Sequence, residues 1–237
     1  MKKTNYFIEG LQGAGKSTFV QKLSDKFQDY QVFREGVYSP VELAWCVYVI
    51  TEGSHKIICY TQILTDLPNF HKAMEAYEIY NGNLEKASFE SVIYERYEKW
   101  NGIGQIFECS IFQNIIENQI LYLMMTDEEI FDFYKNLNNI LAGKSYHIIY
   151  LDVEDIAGTI DVIRKERSDE NGKEMWFPLM MRYVENAPYG KAHQLTGLEG
   201  LLAHLAHRRT LERRLLKELF KENSTVLKSK DCSVEEI

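Results

Sequence analysis

Two periods of apolar spacing alternate along this chain. Short, nearly continuous apolar runs occur at Asn5-Tyr-Phe-Ile8, Gln31-Val-Phe-Arg34, Gly104-Gln-Ile-Phe-Glu108 and Tyr146-His-Ile-Ile-Tyr-Leu-Asp152, with Ser224-Thr-Val-Leu227 as a fifth. Runs of this kind read as parallel strands covered on both faces. Helical spacing fills the intervals. Phe19, Val20, Leu23 and Phe27 share one face of a helix over Thr18–Phe27. Pro40–Tyr48 opens as a helix with proline in its first turn. Residues 55–100 read as a largely helical excursion, broken at Asn69 and at Asn81-Gly-Asn83. Ile111–Met124 is helical, and Thr126-Asp-Glu-Glu129 is a capping box whose helix Gly143 closes. A helix runs to Arg164, followed by the polar segment Lys165–Lys173 and two more helical stretches, Glu174–Glu185 and Leu198–Phe220. Strands alternating with helices predict a parallel sheet with right-handed crossovers. The expected architecture is a three-layer α/β domain over residues 1–237, built on a five-stranded parallel sheet. Helical insertions are expected at about 55–100 and about 165–200.

One stretch adds chemistry to this pattern. Gly10-Leu-Gln-Gly-Ala-Gly-Lys16-Ser17 satisfies G-x-x-x-x-G-K-[ST] at every fixed position, between a predicted strand and a predicted helix. Glycines let the backbone wrap a triphosphate with its N–H groups turned inward, and the positive end of the next helix adds to that field. Gly10, Gln12, Gly13, Ala14, Gly15, Lys16, Ser17 and Thr18 are therefore expected to surround the phosphates of ATP. Lys16 would reach the β- and γ-phosphates, and Ser17 would hold Mg²⁺ through its hydroxyl.

Composition narrows the partners. The chain has 237 residues, 45% of them hydrophobic, and a formal net charge of −8. That acidity argues against a general nucleic-acid binder. No segment approaches the roughly 20 apolar residues of a membrane span, and the apolar stretch after Met-Lys-Lys-Thr is too short for a secretory leader. The cysteines Cys46, Cys59, Cys109 and Cys232 form no C-x-x-C pair and read as reduced thiols of a cytoplasmic protein.

The phosphate loop, acidic residues ending the second and third strands, the strand ending in Leu151-Asp152 and the arginines after the next helix occur in a fixed order. That order resembles the nucleoside and nucleotide kinase-like branch of P-loop proteins, which includes thymidylate and deoxynucleoside kinases. The resemblance covers the framework through about Arg167. It implies that Glu35 lies beside the acceptor and takes its hydroxyl proton, and that Arg34 contacts the acceptor. Glu108-Cys109-Ser110 occupies the place of an acidic-Arg-Ser signature, which puts Glu108 near Mg²⁺. Cys109 departs from that signature, so the arginine's contact is missing or comes from elsewhere. Arg164 and Arg167 fall where the lid opens and would neutralise charge on the transferred phosphoryl group. Trp45, Tyr48, Tyr60 and Gln62 fall where related kinases gather the acceptor's base.

His204-x-x-His207 lacks a third ligand at metal-site spacing and reads as helix-surface histidines. Arg208-Arg209-Thr-Leu-Glu-Arg213-Arg214 reads as the wet face of an amphipathic helix, which leaves room for a homodimer. The chain is thus expected to transfer the γ-phosphate of ATP, with Mg²⁺, to a small acceptor, most readily a nucleoside or nucleotide. A kinase of another small hydroxyl compound, such as an antibiotic or sugar, and a regulatory switch ATPase remain as alternatives. A switch GTPase would carry an Asn-Lys-x-Asp base-reading motif, which is absent from the sequence.

Overall fold

The computed structural model describes residues 3–51 and 54–237; residues 1–2 and 52–53 lie outside it. Strands β1 (Asn5–Gly10), β2 (Gln31–Phe33), β5 (Gln105–Glu108), β6 (Tyr146–Asp152) and β7 (Ser224–Lys228) form one sheet in the order β2-β5-β1-β6-β7. All four pairings are parallel. Phe7 and Phe107 stack at 4.9 Å between ring centres, and Phe107 stacks on Phe33 at 5.0 Å. This aromatic row ties the three strands that flank the phosphate loop.

The two remaining strands, β3 (Cys46–Thr51) and β4 (Ser54–Cys59), pair antiparallel as a separate hairpin. Here the structure corrects the helix expected over Pro40–Tyr48. The carboxylate of Glu42 accepts the N–H groups of Leu43 and Ala44 at 2.9 and 2.7 Å, which satisfies the turn without a helical successor. Trp45 follows at a φ of 62°, outside helical space. The β-formers of Val47-Tyr-Val-Ile then go into the hairpin. The excursion at 55–100 is accordingly only partly helical. It holds the hairpin's second strand, a short helix α2 (Phe70–Met74) and one long helix α3 (Lys86–Lys99).

The other helices match the sequence pattern closely. Helix α1 (Lys16–Lys26) follows the phosphate loop, and α4 (Gln113–Leu121) follows β5. Helix α5 (Asp127–Leu141) starts at the Thr126–Glu129 capping box, with both reciprocal hydrogen bonds present. Helix α6 (Ile156–Glu166) takes in the first two residues of the polar segment. Helices α7 (Trp176–Asn186), α8 (Pro188–Ala192) and α9 (Gly197–Glu218) complete the outer layer. Among the described residues, no helix is long and apolar enough to cross a membrane.

Candidate active site

The phosphate loop leaves β1 at its C-terminal end, the edge where open α/β sheets bind ligands. Two of its glycines are required by close approach. A Cβ on Gly10 would lie 2.5 Å from the Leu151 carbonyl, and one on Gly13 only 2.2 Å from Ile163 of α6. The Lys16 ammonium donates to the carbonyls of Gly10 and Leu11 at 2.9 and 2.8 Å, so its stem spans the loop. The Ser17 hydroxyl donates to the Glu108 carboxylate at the end of β5. These two oxygens belong to residue types that suit a hard divalent cation.

Beside this pair lies a cavity of about 690 Å³ lined by Ser17, Arg34, Glu35, Gly36, Trp45, Thr61 and Glu108. Its size falls within the range of small-ligand pockets. Arg34 reaches Gln21 at 2.7 Å, the Ser17 carbonyl at 3.3 Å and Glu108 at 3.8 Å. Glu35 accepts from Gln113 at 3.3 Å and from Asn114 at 3.5 Å, both at the start of α4. The structure thus brings Ser17, Arg34, Glu35, Trp45 and Glu108 to one cavity. Tyr60 stands behind Trp45, with ring centres 6.3 Å apart, and its buried hydroxyl donates to Glu78. Tyr48 is half-buried on β3, and Gln62 is exposed. Neither lines the cavity.

Arg164 in the last turn of α6 and Arg167 at its C-cap are engaged by neighbours. Arg164 donates to Glu174 at 2.8 and 3.0 Å, pairs with Asp161 at 3.1 Å, and lies 4.3 Å from the centre of the Phe177 ring. Arg167 covers the Trp176 ring at 5.0 Å. The intervening turn is held by Asp169, whose carboxylate accepts the N–H groups of Asn171 and Lys173 at 2.9 and 2.8 Å. For Arg164 to reach a phosphate it must exchange Glu174 for it. Amides from about Glu166 to Glu174 should therefore gain hydrogen-exchange protection when ATP and acceptor bind together. Exchange there that ignores both ligands would exclude a lid in this segment.

Two buried carboxyls escaped the sequence reading. Glu9, fully buried in β1, accepts from the backbone N–H groups of Ile111 and Gln113 at 2.8 and 3.3 Å. Burial pushes it up to about 7. Glu42 is pushed up to about 8 by burial, with the Glu35 carboxylate adding to the effect. Its Oε1 also receives the Tyr80 hydroxyl at 3.2 Å and Asn114 at 3.4 Å, so Asn114 bridges Glu42 and Glu35. A lone acid inside each apolar stretch was the available signal. In the unfolded chain both groups ionise near their ordinary values, so they favour folding below about pH 4.5 and lose that contribution as pH rises through about 7 and 8. Between those limits each costs about 1.4 kcal/mol per pH unit. Glu42→Gln keeps the accepting oxygen and removes the titration. Its Tm should fall less than that of the wild type between pH 6 and 8.5. An equal fall in both proteins would refute the assignment.

The arginine run on α9 is also corrected. Arg208 is fully buried, paired with Glu117 of α4 and with Glu212 at 3.0 Å. Burial opposes its charge, but Glu212 and Glu117 outweigh that and hold it ionised. Glu117 in turn accepts from Gln12 of the phosphate loop at 2.7 Å, and Glu212 accepts from Tyr150 of β6 at 2.7 Å. Arg209 grips Asp152 with two bonds at 2.7 and 2.8 Å, and Arg213 adds a third at 2.5 Å. His204 is buried as well, and burial together with Arg208 lowers it to about 3, so it is neutral. His207 remains near the surface, against Asp127 at 2.8 Å.

A parallel sheet with a phosphate loop on its central strand, flanked by helices and facing a carboxylate-lined cavity, is the architecture of a P-loop kinase. The sequence profile of the deoxynucleoside kinase family matches residues 6–182, and the chain belongs to that family. It is therefore a phosphotransferase of the nucleoside kinase kind. A search among curated proteins finds no match to the chain. Family membership sets aside the switch-ATPase reading.

Proposed function

We propose that the protein transfers the γ-phosphate of ATP to a hydroxyl of an uncharged deoxynucleoside. The observation that carries this reading is the cavity between Ser17 and Glu35. It adjoins the phosphate loop, and two carboxylates line it. Arg34 is the one cation among the lining residues, and its guanidinium is already occupied by Gln21, the Ser17 carbonyl and Glu108. An acceptor bearing its own phosphate would meet net negative charge there, so a nucleoside is favoured over a nucleotide.

Glu35 stands as the general base that takes the acceptor's proton, oriented by Gln113 and Asn114. Trp45 offers its face to a base. Lys16 and the loop N–H groups hold the β- and γ-phosphates. Ser17 and Glu108 would hold Mg²⁺, which would supply positive charge to offset that of the phosphates. Arg164, once released from Glu174, and Arg167 would stabilise the charge on the phosphoryl group in flight.

The test is a thermal-shift and ADP-release screen of deoxynucleosides, their monophosphates, sugars and hydroxylated antibiotics, each with ATP and Mg²⁺. Turnover with at least one deoxynucleoside, exceeding that with its monophosphate, is the expected result. Turnover confined to a sugar, an antibiotic or a monophosphate would overturn the reading.

A further inference from the structure

Cys46 and Cys59 sit directly opposite one another where the β3–β4 hairpin begins and ends. The hydrogen bonds define their pairing type. Tyr60 N–H donates to the Trp45 carbonyl at 3.0 Å, one residue outside the pair, while the Cys46 carbonyl turns away to accept from Ile79 at 2.9 Å. The pair is thus a non-hydrogen-bonded one, in which Cα atoms approach to about 4.5 Å and side chains lie closest. That spacing falls inside the range that a disulfide spans. Both thiols share one face of the hairpin, and Cys59 acts electrostatically on Cys46.

Their chain neighbours form the wall of the cavity. Trp45 precedes Cys46, and Thr61, two residues after Cys59, lines the cavity too. The Cys59 sulfur lies 3.2 Å from the Thr61 hydroxyl, which itself donates to the Gly36 carbonyl at 3.3 Å. Both cysteines are buried, and the Thr61 hydroxyl links the Cys59 sulfur to the cavity lining.

We propose that Cys46 and Cys59 form a reversible disulfide across the hairpin, a modification site through which a peroxide or a small disulfide resets the acceptor wall. With hydrogen peroxide, the Cys59 sulfur attacks one peroxide oxygen, the O–O bond breaks, and a sulfenic acid and one water result. The Cys46 sulfur then attacks the sulfenic sulfur. The S–O bond breaks, a second water leaves with the Cys46 proton, and the S–S bond forms. Two thiols are oxidised by two electrons, and the peroxide is reduced to two waters. Oxidised glutathione gives the same product through a mixed disulfide and releases two glutathione thiols. Burial pushes the Cys46 thiol up, which keeps it from attacking peroxide first and makes the resolving step the slower of the two.

The bond would pull on the wall. Facing Cβ atoms in a sheet are about 4.5 Å or more apart, whereas a disulfide draws them to about 3.8 Å. Trp45 and Tyr60, each attached to one of the cysteines, would move with the strands. Strain of this kind also makes the bond easier to reduce. The effect on the acceptor rests on the cavity reading above. Formation of the bond does not.

The reduced, full-length protein is treated with oxidised glutathione or with hydrogen peroxide, then mapped by non-reducing peptide mass spectrometry. A peptide linking Cys46 to Cys59, formed by the native protein and reversed by dithiothreitol, is expected. The acceptor KM should rise about threefold or more on oxidation, with the ATP KM held within about twofold. Cys59→Ala should abolish the change while keeping the reduced protein's KM values. Two results overturn the proposal: no Cys46–Cys59 peptide from native protein, or only glutathione adducts, including those on Cys109 or Cys232. A linked peptide with an unchanged acceptor KM would refute the control of the wall. If no acceptor is turned over even when reduced, the mass map still decides the thiol chemistry, and the failure belongs to the proposed function.

Discussion

Glu35→Gln should lower the turnover number by roughly 10²- to 10⁴-fold, the usual contribution of a positioned general base. The substitution keeps the side chain's shape and its ability to accept from Gln113 and Asn114. It removes only the lone pair that can take a proton at neutral pH. Because the phosphate loop lies on a different strand, ATP affinity should remain near the wild-type value. The effect would therefore fall on turnover and not on donor binding. Neighbouring Asn114 gives a second reading of the same geometry. Asn114→Ala loosens Glu35 without deleting it, so its loss should be smaller. A Glu35→Gln enzyme with unchanged turnover would remove Glu35 from the chemistry, whatever its place in the cavity.

The second large effect is on stability. Arg208→Met replaces a buried cation by a side chain of similar length and leaves Glu117 and Glu212 without their countercharge. Removing one partner of such a pair costs about 3–5 kcal/mol. Urea denaturation should show that loss through a lower midpoint with a similar slope. The triple variant Arg208→Met, Glu117→Gln, Glu212→Gln should recover part of it, because no uncompensated charge remains. Since Glu117 also anchors Gln12, Arg208→Met protein that stays folded should bind ATP more weakly. A loss below about 1 kcal/mol would mean that water reaches the cluster and screens it.

What could be read in the sequence follows from how each residue is buried. Strands β1, β5 and β6 were legible because a parallel strand covered on both faces must be apolar almost throughout. The Thr126 capping box was legible because its two hydrogen bonds are local. The hairpin was not, because its partner strand lies beyond the turn and Pro40 imitates a helix start. Arg208 was misread through its charge, although its spacing told otherwise. Leu201, Leu205, Leu211 and Leu215 are buried on α9, and Arg208 falls on their side of the helix along with His204 and Glu212. At the site, the loop motif was legible because its spacing is local. Glu35's supports in α4 and the Thr61 contribution depend on contacts between distant segments, for which neighbouring letters hold no signal.

The three tryptophans are distributed so that the protein carries its own optical probes. Trp100 is packed in the core, Trp45 stands at the cavity mouth at 38% exposure, and Trp176 lies under the Arg167 guanidinium. Emission from Trp100 is a constant background. Quenching or a blue shift from Trp45 would follow the acceptor, and a change at Trp176 would follow the segment after α6. With Trp45→Phe and Trp176→Phe proteins, stopped-flow fluorescence could time acceptor entry and arginine release as separate events in unlabelled enzyme.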